Sequence, residues 1–191
     1  MVVPDLAVAQ ALYVAFGLDV REEGNGLGLY TYGASQRWAS LGEGARKKLS
    51  NLSFGVFEED FEAIRTGIEA EGVTLMDPPR GCDSIGIWFM DPFGVLIELK
   101  LAEKSLPTSK SDFEVTSRPG GQMGSMQLSQ APQVRPKRLA HVLIFTPDVL
   151  GSIRLYSRVL GLRLSDQSGD GICFMHGIHG SDRHQIAFAN D

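Results

Sequence analysis

The hydrophobic positions between residues 149 and 160 recur every three or four residues. They are Val149, Ile153, Tyr156 and Leu160, a spacing that places them on one face of a helix. Asp148 precedes the run, where its carboxylate can accept a hydrogen bond from a free backbone N–H. Gly161 follows the run and can adopt the left-handed conformation that ends a helix. The pattern predicts a capped amphipathic helix.

The same pattern occurs near the start of the chain, 143 positions earlier. Pro4-Asp5 corresponds to Pro147-Asp148, and Leu12-Tyr13 corresponds to Leu155-Tyr156. Further on, where insertions have increased the offset to 146, "SQRW" (35–38) aligns with "SDRH" (181–184). After each helix, short alternating segments such as "GLGLYTY" and "GICFMH" predict strands separated by Gly-rich turns. A match at a fixed offset of this kind indicates an internal duplication.

A third unit of the same kind lies between the two copies. "NLSFGV" (51–56) predicts a strand and "EEDFEAIRTGIEAEG" (58–72) a helix, with Phe61, Ile64 and Ile68 on one face. "GVTLM" and "SIGIWF" predict strands, "DPFG" a turn and "VLIELKL" a final strand. The chain is therefore predicted to contain units of one strand, one helix and three strands, repeated about every 50 residues.

These units predict an α+β fold of paired βαβββ modules, in which a mixed sheet curves into a half-barrel with flanking helices. Residues 1–102 form a two-module domain, and residues 138–191 form the first module of a second domain that is only half present. Residues 103–137 lack apolar periodicity and are rich in Ser, Gln, Gly and Pro, which predicts a linker. We also expect the opening strand to be clipped by several residues at the front.

The composition is that of an ordinary globular protein. The 191 residues are 43% hydrophobic, and the net charge of −5 comes without a basic stretch interleaved with aromatics, which argues against a nucleic-acid partner. The apolar N-terminus lacks a basic leader and is broken by Pro4 and Asp5, so it predicts neither a signal peptide nor a membrane span. Cys82 and Cys173 form no disulfide framework; we interpret them as reduced core thiols of a cytoplasmic protein.

The chain resembles the vicinal oxygen chelate superfamily, which includes glyoxalase I, bleomycin-resistance proteins and extradiol ring-cleavage dioxygenases. "HVLIFTPDV" from 141, "DPFGVLIELKL" from 91 and the paired modules carry the resemblance. Two-domain extradiol dioxygenases, which cleave catechols with O₂ and non-haem Fe(II), are the most similar group. The resemblance therefore implies an extradiol dioxygenase, or an incomplete form of one, that uses Fe(II), with Mn(II) as the alternative. A single module at residues 138–191 would leave an apolar concave face and an unpaired sheet edge, so we expect this segment either to pair with another chain in a homo-oligomer or to be poorly ordered.

The resemblance also implies roles for two histidines. His141 matches the family's first histidine ligand to the metal, and His184, in "RHQIAF", matches its acid–base histidine beside the metal. The family's second histidine ligand and its glutamate are expected at about 197 and 245, beyond residue 191. Stable metal binding by this chain alone is therefore not expected. His176 and His179 flank glycines in a predicted turn, where we expect exposure to solvent.

The first domain offers no obvious metal site of its own. Asn51 stands where a histidine ligand would be needed, Trp38 stands in the place of His184, and Glu98 supplies one carboxylate. We interpret this domain as structural and Glu98 as an inherited remnant or a surface carboxylate. Two alternative functions stay open at this point: a glyoxalase-like metal-dependent lyase or isomerase, and a non-catalytic module that binds a small ligand.

Overall fold

The computed structural model describes residues 1–79, 82, 84–103, 120–121, 124, 129, 135–177 and 181–191. Most of the predicted linker therefore lies outside the described residues, and so does His179. No helix in the described part of the chain is long and apolar enough to cross a membrane.

Three modules follow one another along the chain, and each contains a strand, a helix and three further strands. The first comprises β1 (Val2–Val3), α1 (Leu6–Ala15), β2 (Asp19–Glu23), β3 (Gly26–Tyr30) and β4 (Arg37–Glu43). The second comprises β5 (Leu52–Val56), α2 (Glu58–Ala70), β6 (Leu75–Met76), β7 (Ile87–Met90) and β8 (Leu96–Leu101). The third comprises β9 (Val142–Thr146), α3 (Val149–Leu160), β10 (Arg163–Ser168), β11 (Ile172–His176) and β12 (Ile186–Asn190).

The three sheets have the same strand order. They run β1-β4-β3-β2, β5-β8-β7-β6 and β9-β12-β11-β10, and in each the first strand pairs in parallel with the last while the other pairs are antiparallel. This shared topology confirms the coarse prediction of an α+β chain built from βαβββ modules with mixed four-stranded sheets. The predicted domain boundaries at 102 and 138 stay a prediction.

The helix caps explain why the two copies fold alike. The Asp5 carboxylate accepts a hydrogen bond from the N–H of Val8 at 2.9 Å, and the Asp148 carboxylate accepts one from Gly151 at 2.7 Å. Gly161 ends α3 with a φ of 65°, a conformation that other residues adopt at a cost. The capping residues predicted from the sequence are therefore confirmed.

Two predicted strands of the second module are shorter than the sequence indicates. Only Leu75–Met76 of "GVTLM" pairs with β7, which itself begins at Ile87. Pro78 and Pro79 lie two and three residues beyond the end of β6, and proline has no backbone N–H to donate to a sheet.

Contacts within the chain define two compact units. The described residues of 48–104 group with those of 139–191 and with Met1, and residues 2–47 group with the few described residues between 105 and 138. The core of the second group is small and contains Ala9, Leu27, Leu29 and Leu41.

The first group has one continuous core made by the second and third modules together. Ile68 of α2, Phe89 of β7, Tyr156 of α3 and Phe188 of β12 all belong to it, and each is at most 1% exposed. A buried hydrogen bond also joins the two modules, because the Tyr156 hydroxyl donates to Asp91 at 2.9 Å. The predicted apolar face of α3 is thus buried within the chain.

Candidate functional site

Three of the four histidines lie at one end of the third sheet. His141 immediately precedes β9, His184 lies two residues before β12, and His176 is the last residue of β11. β9 and β12 run in parallel, with Val142 paired to Ile186, whereas β11 is antiparallel, with Met175 paired to Ile186. β9 and β12 therefore start, and β11 ends, at the same end of the sheet.

A backbone hydrogen bond brings the segments of the two predicted site histidines together. The N–H of Val142 donates to the carbonyl of Gln185 at 3.1 Å. His141 and His184 each lie one residue before a member of this pair. The fold thus places the predicted metal ligand beside the predicted acid–base residue.

His141 shares a sheet face with exposed apolar side chains. Side chains alternate along a strand, so the face of Leu143 and Phe145 is also the face of His141. Leu143 and Phe145 are 41% and 66% exposed, whereas Ile144, on the opposite face, packs against the core. His141 itself is exposed.

His184 is held on the same face by an aromatic partner. Its ring stacks on Phe174, with 4.3 Å between centroids and 22° between planes. Phe174 lies between Cys173 and Met175, which point into the core and are completely buried, so its own ring points to the other face. The stacking restricts the orientation of a half-buried imidazole.

The expectation of an exposed His176 in a turn was wrong. His176 is half-buried at the end of β11, and the hydroxyl of Ser165 lies 2.5 Å from its Nδ1. Sequence reasoning missed the roles of both Ser165 and Phe174. Phe174 alternates with Cys173 and Met175 along a predicted strand, which was a usable signal; the Ser165 contact depends on a sheet irregularity that the sequence does not mark.

The described residues do not form a complete metal site. No group of three or more His, Cys, Asp and Glu side chains among them is arranged to hold a metal ion. One imidazole at His141 does not fit the two imidazoles and one carboxylate of a non-haem iron centre, because selectivity for iron depends on the number and geometry of ligands.

The polar residues of the second module form a hydrogen-bonded row instead of a metal site. The Asn51 amide donates to the Ser53 hydroxyl at 3.0 Å, and that hydroxyl donates to the Glu98 carboxylate. Glu98 is only 7% exposed, so the expectation of a possible surface carboxylate was wrong. The donor, Ser53, lies on β5, the strand that pairs with β8 in the same sheet.

The two cysteines differ in environment. Both are free, as predicted, but Cys82 is exposed whereas Cys173 is completely buried. The prediction of a core thiol is therefore confirmed for Cys173 and wrong for Cys82. Burial raises the pKa of the Cys173 thiol, which disfavours its reactive thiolate.

Comparisons with known proteins agree with this architecture. The chain is 48% identical over 186 residues to metapyrocatechase 2 from Cupriavidus necator, a match that covers 97% of this chain and 58% of that protein. The chain therefore spans little more than half the length of this curated relative.

Solved structures share the fold at lower identity. The Mn(II)-bound glyoxalase from Novosphingobium aromaticivorans superimposes with a TM-score of 0.70 at 22% identity, covering all of this chain and 59% of that one. The 2,3-dioxygenase LapB from Pseudomonas sp. KL28 gives 0.71 at 20% identity, covering 100% and 67%. A variant of homoprotocatechuate 2,3-dioxygenase from Brevibacterium fuscum gives 0.68 at 21% identity, covering 99% and 51%.

The third module also matches a family model by itself. Residues 138–191, which contain His141, Phe174 and His184, match the model named Glyoxalase/Bleomycin resistance protein/Dioxygenase superfamily. The resemblance expected from the motifs is therefore confirmed for this segment of the chain.

Proposed function

We propose that this chain is, or contributes to, an extradiol ring-cleavage dioxygenase that acts on a catechol-type aromatic compound and O₂. The observation that carries the proposal is that the segments of His141 and His184 lie next to each other at one end of the third sheet, where the backbones of Val142 and Gln185 are hydrogen-bonded. The 48% identity to metapyrocatechase 2 supports the same reading.

His141 is proposed as one imidazole ligand of an Fe(II) site, with Mn(II) as the alternative. Its exposure and its position at the start of a strand suit a ligand that faces an open site. The described residues do not supply the remaining ligands. Because iron binding depends on the number of ligands, the chain by itself should retain iron only weakly.

His184 is proposed as the acid–base residue. Imidazole exchanges protons near neutral pH, and a positioned imidazole can accept a proton from a phenolic hydroxyl and return it later. Phe174 stacks on the ring with 4.3 Å between centroids, which restricts the plane of the imidazole. Such fixed placement is what makes proton transfer efficient in an active site.

The surroundings of the two histidines suit an aromatic substrate. Leu143, Phe145 and Phe174 share their face of the sheet, and pockets for small ligands are lined mainly by apolar and aromatic side chains with few polar groups. We also propose that the sheets curve into half-barrels around this face. We also propose a homo-oligomer in which a second copy closes this exposed apolar face over the substrate, because apolar patches of this kind usually mark contact surfaces.

Oxygen-dependent turnover tests the proposed activity. The full 191-residue chain is loaded with Fe(II) without oxygen, mixed with catechol and exposed to O₂, and the yellow ring-fission product is followed by absorbance. His184→Asn should lower the rate by about 10² to 10⁴, the usual contribution of an acid–base group. His141→Ala should abolish turnover and reduce the iron bound to the protein at equilibrium, measured by dialysis against excess Fe(II).

Asp170→Asn is a matched control, because Asp170 is an exposed residue in the turn between β10 and β11. It should leave both turnover and iron content unchanged. Turnover of a hemithioacetal without ring fission would replace the proposal by a glyoxalase-like activity. Ring fission at an undiminished rate in His184→Asn would refute the role of His184.

A further inference from the structure

A β-bulge in the third sheet directs a serine hydroxyl toward the candidate site. The pairing between β10 and β11 shifts between Leu164 and Asp166, so Ser165 is the extra residue. Bulges of this type re-aim side chains and are frequent beside active sites. The Ser165 hydroxyl contacts both Nδ1 of His176 and the backbone carbonyl of Arg183.

These two contacts determine the tautomer of His176. A carbonyl oxygen can only accept a hydrogen bond, so Ser165 donates its single hydroxyl proton to the backbone carbonyl of Arg183. The hydroxyl oxygen must then accept from His176, whose Nδ1 carries the ring proton. In the neutral ring, Nε2 is left as a hydrogen-bond acceptor, and the described residues provide no partner for it.

The position of His176 relates this acceptor to the proposed site. His176 lies two residues beyond Phe174 on β11 and therefore on the face where Phe174 stacks on His184. The next residue is also fixed, because the N–H of Gly177 donates to the Gln185 side chain at 2.7 Å. Ser165 thus contacts His176 and Arg183, and Gln185 binds Gly177, so hydrogen bonds fix both ends of the segment between His176 and His184.

We propose that His176 is a specificity residue whose Nε2 accepts a hydrogen bond from a hydroxyl-bearing substituent of the aromatic substrate. Ser165 is a positioning residue that keeps the proton on Nδ1 and so keeps Nε2 free to accept. The proposal rests on the proposed dioxygenase function, since it assumes that an aromatic ring lies on this face. A site that offers an unpaired acceptor favours a ligand with a matching donor over an apolar ligand of the same size.

The tautomer can be measured without any substrate. In the full chain with histidines labelled with nitrogen-15, nuclear magnetic resonance distinguishes protonated from unprotonated ring nitrogens, and His176→Asn identifies the resonances of this ring. We expect Nδ1 to be protonated and Nε2 not. Ser165→Ala should produce a mixture of tautomers, whereas Ser165→Thr, which keeps the hydroxyl, should retain the original one.

Ser168→Ala is the matched control for the serine variants. Ser168 is an exposed residue of the same strand, and its hydroxyl takes part in no hydrogen bond within the described residues. This variant should leave the His176 resonances unchanged. A protonated Nε2 in the wild type, or an unchanged tautomer in Ser165→Ala, would overturn the proposal.

A pair of similar ligands tests the specificity. Binding of hydroxymethyl-catechol and of ethyl-catechol to the full chain is measured by titration, and kcat/KM is compared wherever turnover occurs. The wild type should favour the hydroxymethyl compound, and His176→Phe should reduce that preference about tenfold, the loss expected for one hydrogen bond. Unsubstituted catechol should be affected much less.

The outcomes separate this proposal from the proposed activity. A binding preference that depends on His176 without ring fission would leave the specificity role standing and count against the dioxygenase. Ring fission with an unchanged preference in His176→Phe would overturn the specificity role alone. No binding of either compound would overturn it as well.

Discussion

Tyr156 shows how much a single side chain contributes to the third module. Its ring is 1% exposed, and its hydroxyl donates to Asp91, which is 3% exposed. The other oxygen of Asp91 accepts the N–H groups of Phe93 and Val95 in the "DPFG" turn. One carboxylate thus fixes a turn in the second module and a helix in the third.

Tyr156→Phe should therefore destabilise the protein by about 1–3 kcal/mol, because a buried carboxylate oxygen loses its partner. Urea denaturation followed by circular dichroism measures the change. Tyr13→Phe is the control, since Tyr13 is the counterpart of Tyr156 in the internal repeat and its hydroxyl has no hydrogen bond within the described residues. Equal destabilisation by the two substitutions would contradict the role of the Asp91 contact.

The same phenol predicts a dependence of stability on pH. Burial, followed by the charge of Asp91 and the hydrogen bond to it, raises the pKa of Tyr156 well above its ordinary value of 10. Above about pH 10 the unfolded chain releases this proton while the folded chain keeps it, so folding loses about 1.4 kcal/mol per pH unit from this group. The contribution is complete below pH 10 and decreases above it.

The difference in stability between the wild type and Tyr156→Phe should accordingly shrink between pH 9 and pH 11. Urea denaturation of both proteins across this range measures it. Other groups that titrate here, including Tyr30, are present in both proteins and cancel in the comparison. Parallel stability curves would show that the Tyr156 phenol ionises alike in the folded and unfolded states.

At the scale of the elements, the sequence predicted what depends on local chemistry. The caps at Asp5 and Asp148, the end of α3 at Gly161 and the "DPFG" turn are all present, because each depends on residues within four positions of one another. The repeat at an offset of 143 predicted correctly that the first and third modules contain the same succession of one strand, one helix and three strands.

The sequence could not predict what depends on the pairing of distant segments. The bulge at Ser165 arises from the register between β10 and β11, and no residue type marks it. His176 looked like a turn residue because glycines follow it, but pairing with Arg163 keeps it in the sheet. The resemblance therefore allowed roles to be proposed for His141 and His184 from the sequence, whereas the contact between Ser165 and His176 could not be predicted.

At the scale of the whole chain, the shared core of the second and third modules is the feature that only the structure reveals. Ile68 on α2 and Cys173 on β11 are both 0% exposed and belong to the same core, although they lie more than 100 positions apart in the sequence. Residues 48–104 and 139–191 should therefore open together, and Cys173 should become reactive only when they do.

Ile68→Ala should remove about 2–5 kcal/mol by leaving a cavity in this core. If the two modules open as one, the labelling of Cys173 by a thiol reagent under native conditions should accelerate at least 30-fold, the effect of a loss of about 2 kcal/mol. Mass spectrometry of the labelled chain separates this site from the exposed Cys82, which serves as an internal reference.

Leu41→Ala is the matched control, because Leu41 is 2% exposed but belongs to the separate core of residues 2–47. It should create a comparable cavity and leave the labelling of Cys173 unchanged. If Ile68→Ala also left Cys173 protected from labelling, the third module would stay folded when the second module opens. The hydrogen bond between Tyr156 and Asp91 would then join two modules that fold independently, and the shared core would be a contact between them rather than a condition for folding.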